Sequence, residues 1–388
     1  MTFSSSDTLV DHRVAIIRCE DYQTAPEAVA EGVELLGGLA QFCQPGERLL
    51  LKPNLLLGDN PERGVTTHPE IFRSVARIFL SGGARLSFGD SPGFGSPQLA
   101  ARMAGLHQVA QELNCEPADF VAMEEVSYPS GILLKKFQIA KALADVDGVI
   151  NLPKFKTHAL MRITGAVKNL FGCLPGVQKA GFHAQLPDEF SLGEMLVDLA
   201  ELLSPRLHIM DGVFGMEGNG PRNGDLRHVG LILLSRNPHA LDHCVAKIMN
   251  LDPGLVPTLI VARDHGLYDP ESVDILGEPI ENIVIDDYKA NRSPESTTGP
   301  KRLHLKLLKK WVAPRPVIDT LKCTHCGRCV TVCPSKPKAI GFLNGRLNPP
   351  EYNYRDCIRC YCCQEMCPDE AIIVETPIIG RLANRLKI

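Results

Sequence analysis

Residues 323–334 read CTHCGRCVTVCP, and residues 357–368 read CIRCYCCQEMCP. Each stretch carries four cysteines in the spacing C-x2-C-x2-C-x3-C, followed directly by a proline. Two-residue gaps allow three thiolates from one tight loop to hold three irons of a cubane, so the spacing predicts [4Fe–4S] clusters. A zinc site needs only four ligands, so it does not explain the additional C-x2-C step in each stretch or the proline that follows.

The fourth cysteine of each copy lies beyond its own loop, where it can reach the cluster of the other copy. The repeat therefore predicts a small α+β domain with two clusters, like that of bacterial two-cluster ferredoxins. Cys362 is additional to the spacing, and we interpret it as a spectator, with alternative ligation left open. The first predicted ligand set is Cys323, Cys326, Cys329 and Cys367, and the second is Cys357, Cys360, Cys363 and Cys333.

The composition indicates a globular protein of more than one domain. The chain has 388 residues, a length that exceeds what one hydrophobic core usually serves, and 44% of its residues are apolar. Its 45 acidic and 41 basic residues leave a formal charge of −4, so nothing attracts it generally to nucleic acid. No apolar run reaches the roughly 18 residues of a membrane span, and the start lacks an export pattern. We therefore expect a cytoplasmic protein whose cysteines stay reduced.

Alternating strand and helix patterns fill the chain up to about residue 288. Aliphatic runs such as RLLLKPN and DGVINLP are typical of buried strands, and PEIFRSVARIFLSGG has the apolar period of a helix. This alternation predicts a three-layer α/β domain over residues 1–288, with a mostly parallel sheet. Residues 289–320 turn polar and proline-rich around a basic amphipathic helix, and we interpret them as a linker. The predicted two-cluster domain takes residues 321–388, where ten basic against six acidic residues suit an acidic electron donor.

Polar residues follow directly after the predicted strands, where the loops of a parallel sheet meet at one crevice. The richest stretch, residues 153–172, reads PKFKTHALMRITGAVKNLFG and sets several cations beside a short helix that Thr164 begins. Such a site suits a carboxylate or a phosphate. As catalytic residues we expect His158 or Lys168 to supply a proton and Asp90 and Asp211 to position them. The predicted anion-binding residues are Lys52, Asn54, Lys154, Lys156, Arg162, Asn169, Glu217 and Asn219.

Other interpretations of these residues stay open at this point. Each strand end taken alone is equally explained as a turn or a helix cap. The cations of residues 153–172 can also form a solvated basic face. The acidic residues Asp90, Asp211, Glu217 and Asp242 suit a divalent metal as well as a proton donor. An additional, unidentified cofactor in the first domain is also open, although no nucleotide-binding fingerprint is present.

The segments LKPN, GDSPG, LPKFKTH, TGAVKNLFG, DGVFGMEGNGP and NPHALD, followed by the two-cluster tail, resemble the DUF362 family. The resemblance covers nearly the whole chain. It implies an iron–sulfur protein of a kind common in anaerobic bacteria and archaea, with the domain division above and a shared site around residues 154–168. The family has no general activity to carry over, so the reaction stays open.

Together these features favour an iron–sulfur oxidoreductase. In this hypothesis two [4Fe–4S] clusters relay single electrons to an anionic small molecule or cofactor at the strand ends of the first domain, with a ferredoxin- or flavodoxin-type protein as electron donor or acceptor. One alternative is an electron-transfer subunit whose first domain docks a partner enzyme. A third hypothesis is a redox-sensing scaffold.

Overall fold

A mixed sheet forms the centre of the first part of the chain. The computed structural model describes residues 11–176, 178–292 and 314–377, and ten strands of these ranges lie in this sheet. Two further strands, β5 and β6, form a separate antiparallel pair. The strands up to residue 277 are β1 (Arg13–Arg18), β2 (Arg48–Pro53), β3 (Arg85–Phe88), β4 (Glu116–Pro117), β5 (Met123–Ser127), β6 (Lys136–Ala140), β7 (Gly148–Leu152), β8 (Lys154–His158), β9 (Arg162–Ile163), β10 (Leu207–Glu217), β11 (Asp225–Ser235) and β12 (Asp274–Gly277).

The strand order is β12, β1, β11, β10, β7, β2, β3, β4, with β8 beside β10 and β9 beside β8. The pairs from β10 through β7, β2 and β3 to β4 are parallel, as is β1 with β12. Strand β11 runs antiparallel to both β1 and β10 because the short connection of residues 218–224 returns it directly along β10. These pairings confirm the predicted mostly parallel sheet.

Helices cover both faces of the sheet because the aliphatic side chains of its strands alternate between the two faces. Leu49 and Leu51 of β2 belong to one core together with Phe72, whereas Leu50 belongs to another core together with Leu196. This three-layer arrangement confirms the predicted α/β class. The helices of the first part are α1 (Ala25–Leu35), α2 (Pro69–Ser81), α3 (Pro97–Met103), α4 (Leu106–Glu112), α5 (Gly165–Asn169), α6 (Gln178–Gln185), α7 (Glu189–Leu203), α8 (Pro238–Ile248) and α9 (Pro257–Asp264).

The C-terminal part is a small region of short strands and helices, as predicted. Strand β13 (Arg315–Ile318) pairs with β16 (Ile372–Glu375), and β14 (Ile340–Gly341) pairs with β15 (Glu351–Tyr352). Helix α10 (Arg328–Val332) lies in the first cysteine copy and α11 (Cys362–Glu365) lies in the second.

The two cysteine loops follow the same backbone course. His325 and Arg359, at matching positions, have φ of +57° and +62°. Gly327 and Tyr361, also at matching positions, have φ of +76° and +60°. Left-handed conformations at two equivalent points turn each loop tightly enough to bring its cysteines to one side.

Two local expectations need correction or lie beyond the described ranges. Lys154 to His158 form β8, and Asp211 and Glu217 lie inside β10, whereas we predicted loops after the strands. Strand β10 is long because its hairpin with β11 continues the hydrogen-bond ladder to Glu217. The predicted basic helix around residues 301–312 lies outside the described residues. Within those residues, no helix has both the length and the apolar character of a membrane span.

Candidate functional site

Strand β8 places three basic side chains of the richest stretch on one side of the backbone. Side chains alternate along a strand, so Lys154, Lys156 and His158 project to one side and Phe155 to the other. Phe155 packs edge-on against Tyr288 in a hydrophobic core. All three basic residues are buried, so this set is an interior cluster and not a solvated basic face.

Lys52 and Asp90 form a buried ion pair at the ends of β2 and β3. Nζ of Lys52 lies 3.0 Å from Oδ1 of Asp90 and donates to the carbonyl oxygens of Pro53 and Asn169. Oδ2 of Asp90 accepts the backbone N–H of Leu55 at 2.8 Å. Because each charge has internal partners, this pair holds the strand-end loops in place.

Lys154 and Asp211 form a second internal pair. Nζ of Lys154 lies 2.8 Å from Oδ2 of Asp211, and both side chains are fully buried. The same ammonium donates to the hydroxyl of Tyr22 at 2.9 Å, and the ring of Tyr22 stacks on His68. Burial lowers the pKa of Lys154, and the neighbouring Asp211 opposes that shift. The pair therefore joins β8 and β10 to the segment after β1.

Lys156 is a buried lysine held by neutral acceptors. Its Nζ donates to Oδ1 of Asn54 at 3.1 Å and to the carbonyl oxygen of Val65 at 2.7 Å. Asn54 in turn donates to the side chain of Asn169 at 2.9 Å. Burial, reinforced by the charge of Lys168, lowers the pKa of Lys156 to about 7. This side chain can therefore take up or release a proton near neutral pH.

The start of helix α5 is closed by a carboxylate of the protein itself. Asp242 accepts the backbone N–H groups of Ala166 and Val167, and burial raises its pKa to about 7. Gly165 has φ of +56°, and a Cβ there would lie 2.3 Å from Oδ2 of Asp242. Thr164 makes no side-chain cap and donates its hydroxyl to the carbonyl of Lys154. Asp242 therefore occupies the start of this helix, and binding of an anion by the cations beside it stays a prediction.

His158 faces an acidic residue of the second cysteine copy. Its Nε2 lies 2.8 Å from Oε1 of Glu365, and both residues are buried. Nδ1 of His158 accepts the backbone N–H groups of Leu160 and Met161, so the proton of the neutral ring resides on Nε2. Burial, with Lys168 nearby, lowers the pKa of His158 to about 4. Burial alone would raise the pKa of Glu365, but the facing His158 and Lys168 outweigh it and lower that pKa to about 2.

Lys168 and His183 complete the cluster around Glu365. The ammonium of Lys168 lies 5.7 Å from the ring centre of Phe171. Burial lowers the pKa of Lys168, and Glu365 opposes that shift. His183, on α6, packs edge-on against Phe171, and burial lowers its pKa to about 4. Among the described residues, Nδ1 of His183 has no hydrogen-bond partner.

Helix α11 docks on the first part of the chain through polar contacts that surround Glu365. The side-chain amide of Gln364 donates to the backbone and side chain of Asn219 at 2.8 and 3.1 Å. Arg222 donates to the carbonyl of Cys367 at 2.7 Å and holds Asp59 with its other nitrogens. The candidate site therefore lies at the contact between the α/β part and the second cysteine copy.

The remaining predicted residues divide between this site and other places. Arg162 lies opposite His158 in the β8–β9 ladder and is buried, and Asn219 belongs to the contact with α11. Glu217 lies elsewhere, because it pairs with Lys289 at 3.5 Å and accepts that residue's backbone N–H. The predicted anion-binding residues therefore do not form one open crevice. Within the described ranges, no three or more His, Cys, Asp or Glu side chains group to hold one metal ion.

Cysteines of each predicted ligand set lie near one another. Burial and the neighbouring Cys360 and Cys333 raise the pKa of the Cys357 thiol, against the effect of Arg359 and a backbone hydrogen bond. Thiolates are the ligands of iron–sulfur clusters, so the two cysteine sets stay the predicted ligands. A separate cavity is lined by the four cysteines of the other set, Cys323, Cys326, Cys329 and Cys367.

Sequence reasoning missed Glu365, His183 and the Arg222–Asp59 pair. A signal for Glu365 does exist, because the second copy reads Gln-Glu-Met between its last two cysteines where the first copy reads Val-Thr-Val. Gln364 replaces the aliphatic Val330, and Glu365 places a charge where the first copy has the neutral Thr331, a change that indicates a polar contact. Nothing comparable distinguishes His183, which lies outside every motif.

Comparison with known proteins agrees with the two-part organisation. Residues 49–247 match the family described as a domain of unknown function, DUF362, and residues 315–368 match a 4Fe-4S dicluster domain. The chain is 38% identical over 282 residues to thylakoid-associated protein sll1697 of Synechocystis sp. (strain ATCC 27184 / PCC 6803 / Kazusa), covering 71% of this chain and 87% of that protein. That name gives no support to a cytoplasmic location, which stays a prediction.

A solved structure gives a weaker likeness. The lactate racemase apoprotein from Thermoanaerobacterium thermosaccharolyticum has a TM-score of 0.35 and 11% identity, over 58% of this chain and 56% of that one. The chain thus spans little more than half the length of that protein. This likeness carries no argument about activity. The 4Fe-4S match, in contrast, indicates an iron–sulfur protein with a role in electron transfer.

Proposed function

The chain belongs to the DUF362 family, and from that premise we propose that it is an iron–sulfur oxidoreductase. Two [4Fe–4S] clusters, held by the two predicted cysteine sets, relay single electrons to an anionic substrate or cofactor beside strand β8. When bound, such clusters supply one-electron transfer. The side chains around Glu365 bind the anion, exclude water and deliver protons.

The contact between His158 and Glu365 is the observation that carries this proposal. Glu365 lies between Cys363 and Cys367, and its Oε1 is 2.8 Å from Nε2 of His158. The proton-bearing side chains of the α/β part therefore reach the residue between two cluster ligands. Electrons and protons can then arrive at the same place, as the reduction of an anion requires.

Lys168 is the proton donor in this proposal. Burial lowers the pKa of its ammonium, which makes it a stronger acid than an exposed lysine. His158 is neutral with its proton on Nε2, so it donates a hydrogen bond to the bound anion and does not transfer a proton. Lys156, which lies on β8 with His158 and has a pKa of about 7, then returns a proton to Lys168. Each electron taken up by the substrate is thereby balanced by one proton.

Glu365 is the internal competitor of the substrate anion. Its carboxylate faces His158 and feels Lys168, which are the partners that a substrate carboxylate or phosphate would use. Lys156, His158 and Glu365 are 1%, 1% and 6% exposed, so the site is closed while Glu365 is in place. Substrate binding therefore requires α11 to shift, which couples occupation of the site to the position of the second cysteine copy.

The test is to purify the protein without oxygen and to identify the released small molecules by mass spectrometry. The wild type is expected to carry an anionic compound at about one per chain, and Lys168→Met is expected to lose it. Lys141→Met is the matched control, since Lys141 is exposed on the first part of the chain. With acetate and phosphate as probes, Glu365→Gln should raise anion affinity about tenfold by removing the competing charge. No bound anion in any variant, and no gain in Glu365→Gln, would contradict the proposal.

A second candidate function is that of an electron-transfer subunit whose α/β part docks a partner enzyme. The observation that favours it is that the lysines of the strand ends already have internal carboxylate partners, Lys52 with Asp90 and Lys154 with Asp211. In that case the protein holds only its clusters, reduces reversibly and binds no small anion. The mass-spectrometric result therefore decides between the two functions.

A further inference from the structure

The three most exposed large apolar side chains of the described residues lie directly before the first cysteine copy and in the loop that follows it. Leu321 is 97% exposed, Leu347 is 83% exposed and Leu343 is 73% exposed. Folded proteins rarely leave leucines so completely in water at neighbouring positions unless the surface binds something. Among the described residues of the second cysteine copy no large apolar side chain is exposed, and its helix lies against the α/β part.

These leucines lie on the two chain segments that flank the exposed thiol of the first set. Cys326 is exposed, and Leu321 precedes Cys323 by two residues. The loop that carries Leu343 and Leu347 lies against the cysteine loop, since Nδ1 of His325 is 3.1 Å from the carbonyl oxygen of Arg346. A Cβ at Gly327 would also lie 3.2 Å from Nη2 of Arg346 and 3.3 Å from Cε2 of Phe342. The patch is therefore centred on the part of the first set that faces solvent.

The rim of this patch is basic. Lys322 and Arg346 are exposed beside the leucines. Two carboxylates lie close to this rim, and both already accept hydrogen bonds: Asp319 from the backbone N–H of Leu321 at 3.0 Å, and Asp369 from the hydroxyl of Thr324 at 2.5 Å. An apolar centre with a cationic rim is complementary to a protein surface that has an apolar centre and an acidic rim.

From the exposed leucines, the exposed Cys326 and the basic rim, we infer that this surface docks an acidic one-electron donor protein. The inference rests on the proposed function and assigns a direction to it. The donor loses one electron on this surface, and the cluster held by the first cysteine set gains one. The second set includes Cys363, which is buried and lies two residues from Glu365, and this set is then the side from which electrons leave. We define the docking patch as Leu321, Lys322, Cys326, Leu343, Arg346 and Leu347.

The test uses the complete, anaerobically purified protein with an acidic plant-type [2Fe–2S] ferredoxin as the probe. Two changes, Leu347→Asp and Arg346→Glu, alter the apolar centre and the basic rim of the docking patch separately. Val121→Asp is the control, because Val121 is another exposed apolar residue, 63% exposed, that lies on the α/β part. Calorimetry gives the Kd, and stopped-flow absorbance gives the rate of electron transfer from the reduced probe.

Both patch variants are expected to weaken binding at least tenfold, and Val121→Asp is expected to stay within twofold of the wild type. The Arg346→Glu effect should shrink at high salt, because screening weakens exposed charges, whereas the Leu347→Asp effect should persist. Basic cytochrome c should bind more weakly than the ferredoxin. Unchanged iron content and unchanged reduction by dithionite in all variants show that the patch changes leave the clusters intact.

Equal ferredoxin affinity in the wild type and both patch variants would overturn the inference. The inference would also be overturned if the wild type bound anionic phospholipid vesicles, or formed a dimer, through Leu347 and did not bind the ferredoxin. The proposed function fails in a different way, because loss of the small anion leaves the ferredoxin affinity unaffected. The two failures are therefore distinguishable.

Discussion

The two cysteine copies share a spacing and a backbone course but face opposite environments. Between its last two cysteines the first copy has Val-Thr-Val, and Thr331 there is exposed. The second copy has Gln-Glu-Met, and Glu365 there is buried beside His158. The cysteine spacing determines what each loop can ligate, whereas the three residues between the cysteines determine what the loop contacts. A repeat can therefore give one copy an outward role and the other an inward role.

Removal of one ligand from each copy should have the largest effect. Cys326→Ala and Cys360→Ala are each expected to lose about half of the iron, since each removes one ligand of one cluster. Because cluster binding contributes folding energy, both should be destabilised, on the order of 5 kcal/mol. Cys360→Ala should lose more stability than Cys326→Ala, because the second copy also makes the contact with the α/β part. Iron analysis and anaerobic thermal unfolding measure both quantities, and equal unfolding temperatures would contradict the difference in roles.

Alanine at the central position of each copy should separate the buried contact from its exposed counterpart. Glu365→Ala leaves Lys168 and His158 buried without their carboxylate, which should lower the free energy of unfolding by about 3–5 kcal/mol. Thr331→Ala is the matched control and should change it by about 0.5 kcal/mol or less, because Thr331 is exposed. Denaturant titration of the loaded protein measures both. Similar losses in the two variants would show that the contact with His158 contributes little.

Acid should weaken the inward-facing copy through its histidine neighbours. Burial lowers the pKa of His158 and His183 to about 4, so between that value and about 6.5 the unfolded chain binds more protons than the folded one. Stability from these groups is therefore complete above about 6.5 and is lost as the pH falls toward 4. The pKa of Glu365 is lowered from 4.5 to about 2, so its contribution to stability is lost only as the pH falls below about 4.5.

His183→Gln measures this effect, since it removes one of the two titrating rings. The difference in unfolding free energy between pH 7 and pH 5 should shrink by about 2 kcal/mol in this variant. At pH 7 to 8 the ring is neutral in both states, so the pH slope of the variant should equal that of the wild type there. An undiminished difference between pH 7 and pH 5 would mean that His183 does not resist protonation.

The smallest effect is expected at Cys362, which stands where the first copy has Arg328. Cys362→Ser should leave the iron content unchanged, because the predicted second set already has four cysteines. Its effect on the free energy of unfolding should stay within about 1 kcal/mol, since serine has nearly the same volume. Loss of iron in this variant would show that Cys362 takes part in ligation.

The patterns that predicted the fold are local ones. Cysteine spacing acts within a loop of a few residues, and strand alternation acts within five or six residues, so both can be seen in short windows of sequence. The same logic placed Lys154, Lys156 and His158 in one functional region. It placed Asp211 in a loop, however, because glycines after it suggested a turn, while pairing with β11 keeps the strand extended to Glu217.

What the sequence could not indicate is which distant side chains meet. Lys154 and its partner Asp211 are 57 positions apart, and Arg222 and the carbonyl of Cys367 are 145 positions apart. Such pairs depend on the path of the whole chain, and the same lysine would be a free cation if another strand lay beside it. Local chemistry therefore determined the predicted cysteine ligand sets and the strand and helix pattern. Chain packing decided that Asp242 fills the helix start, that Glu365 meets His158, and that Thr331 of the first copy faces solvent.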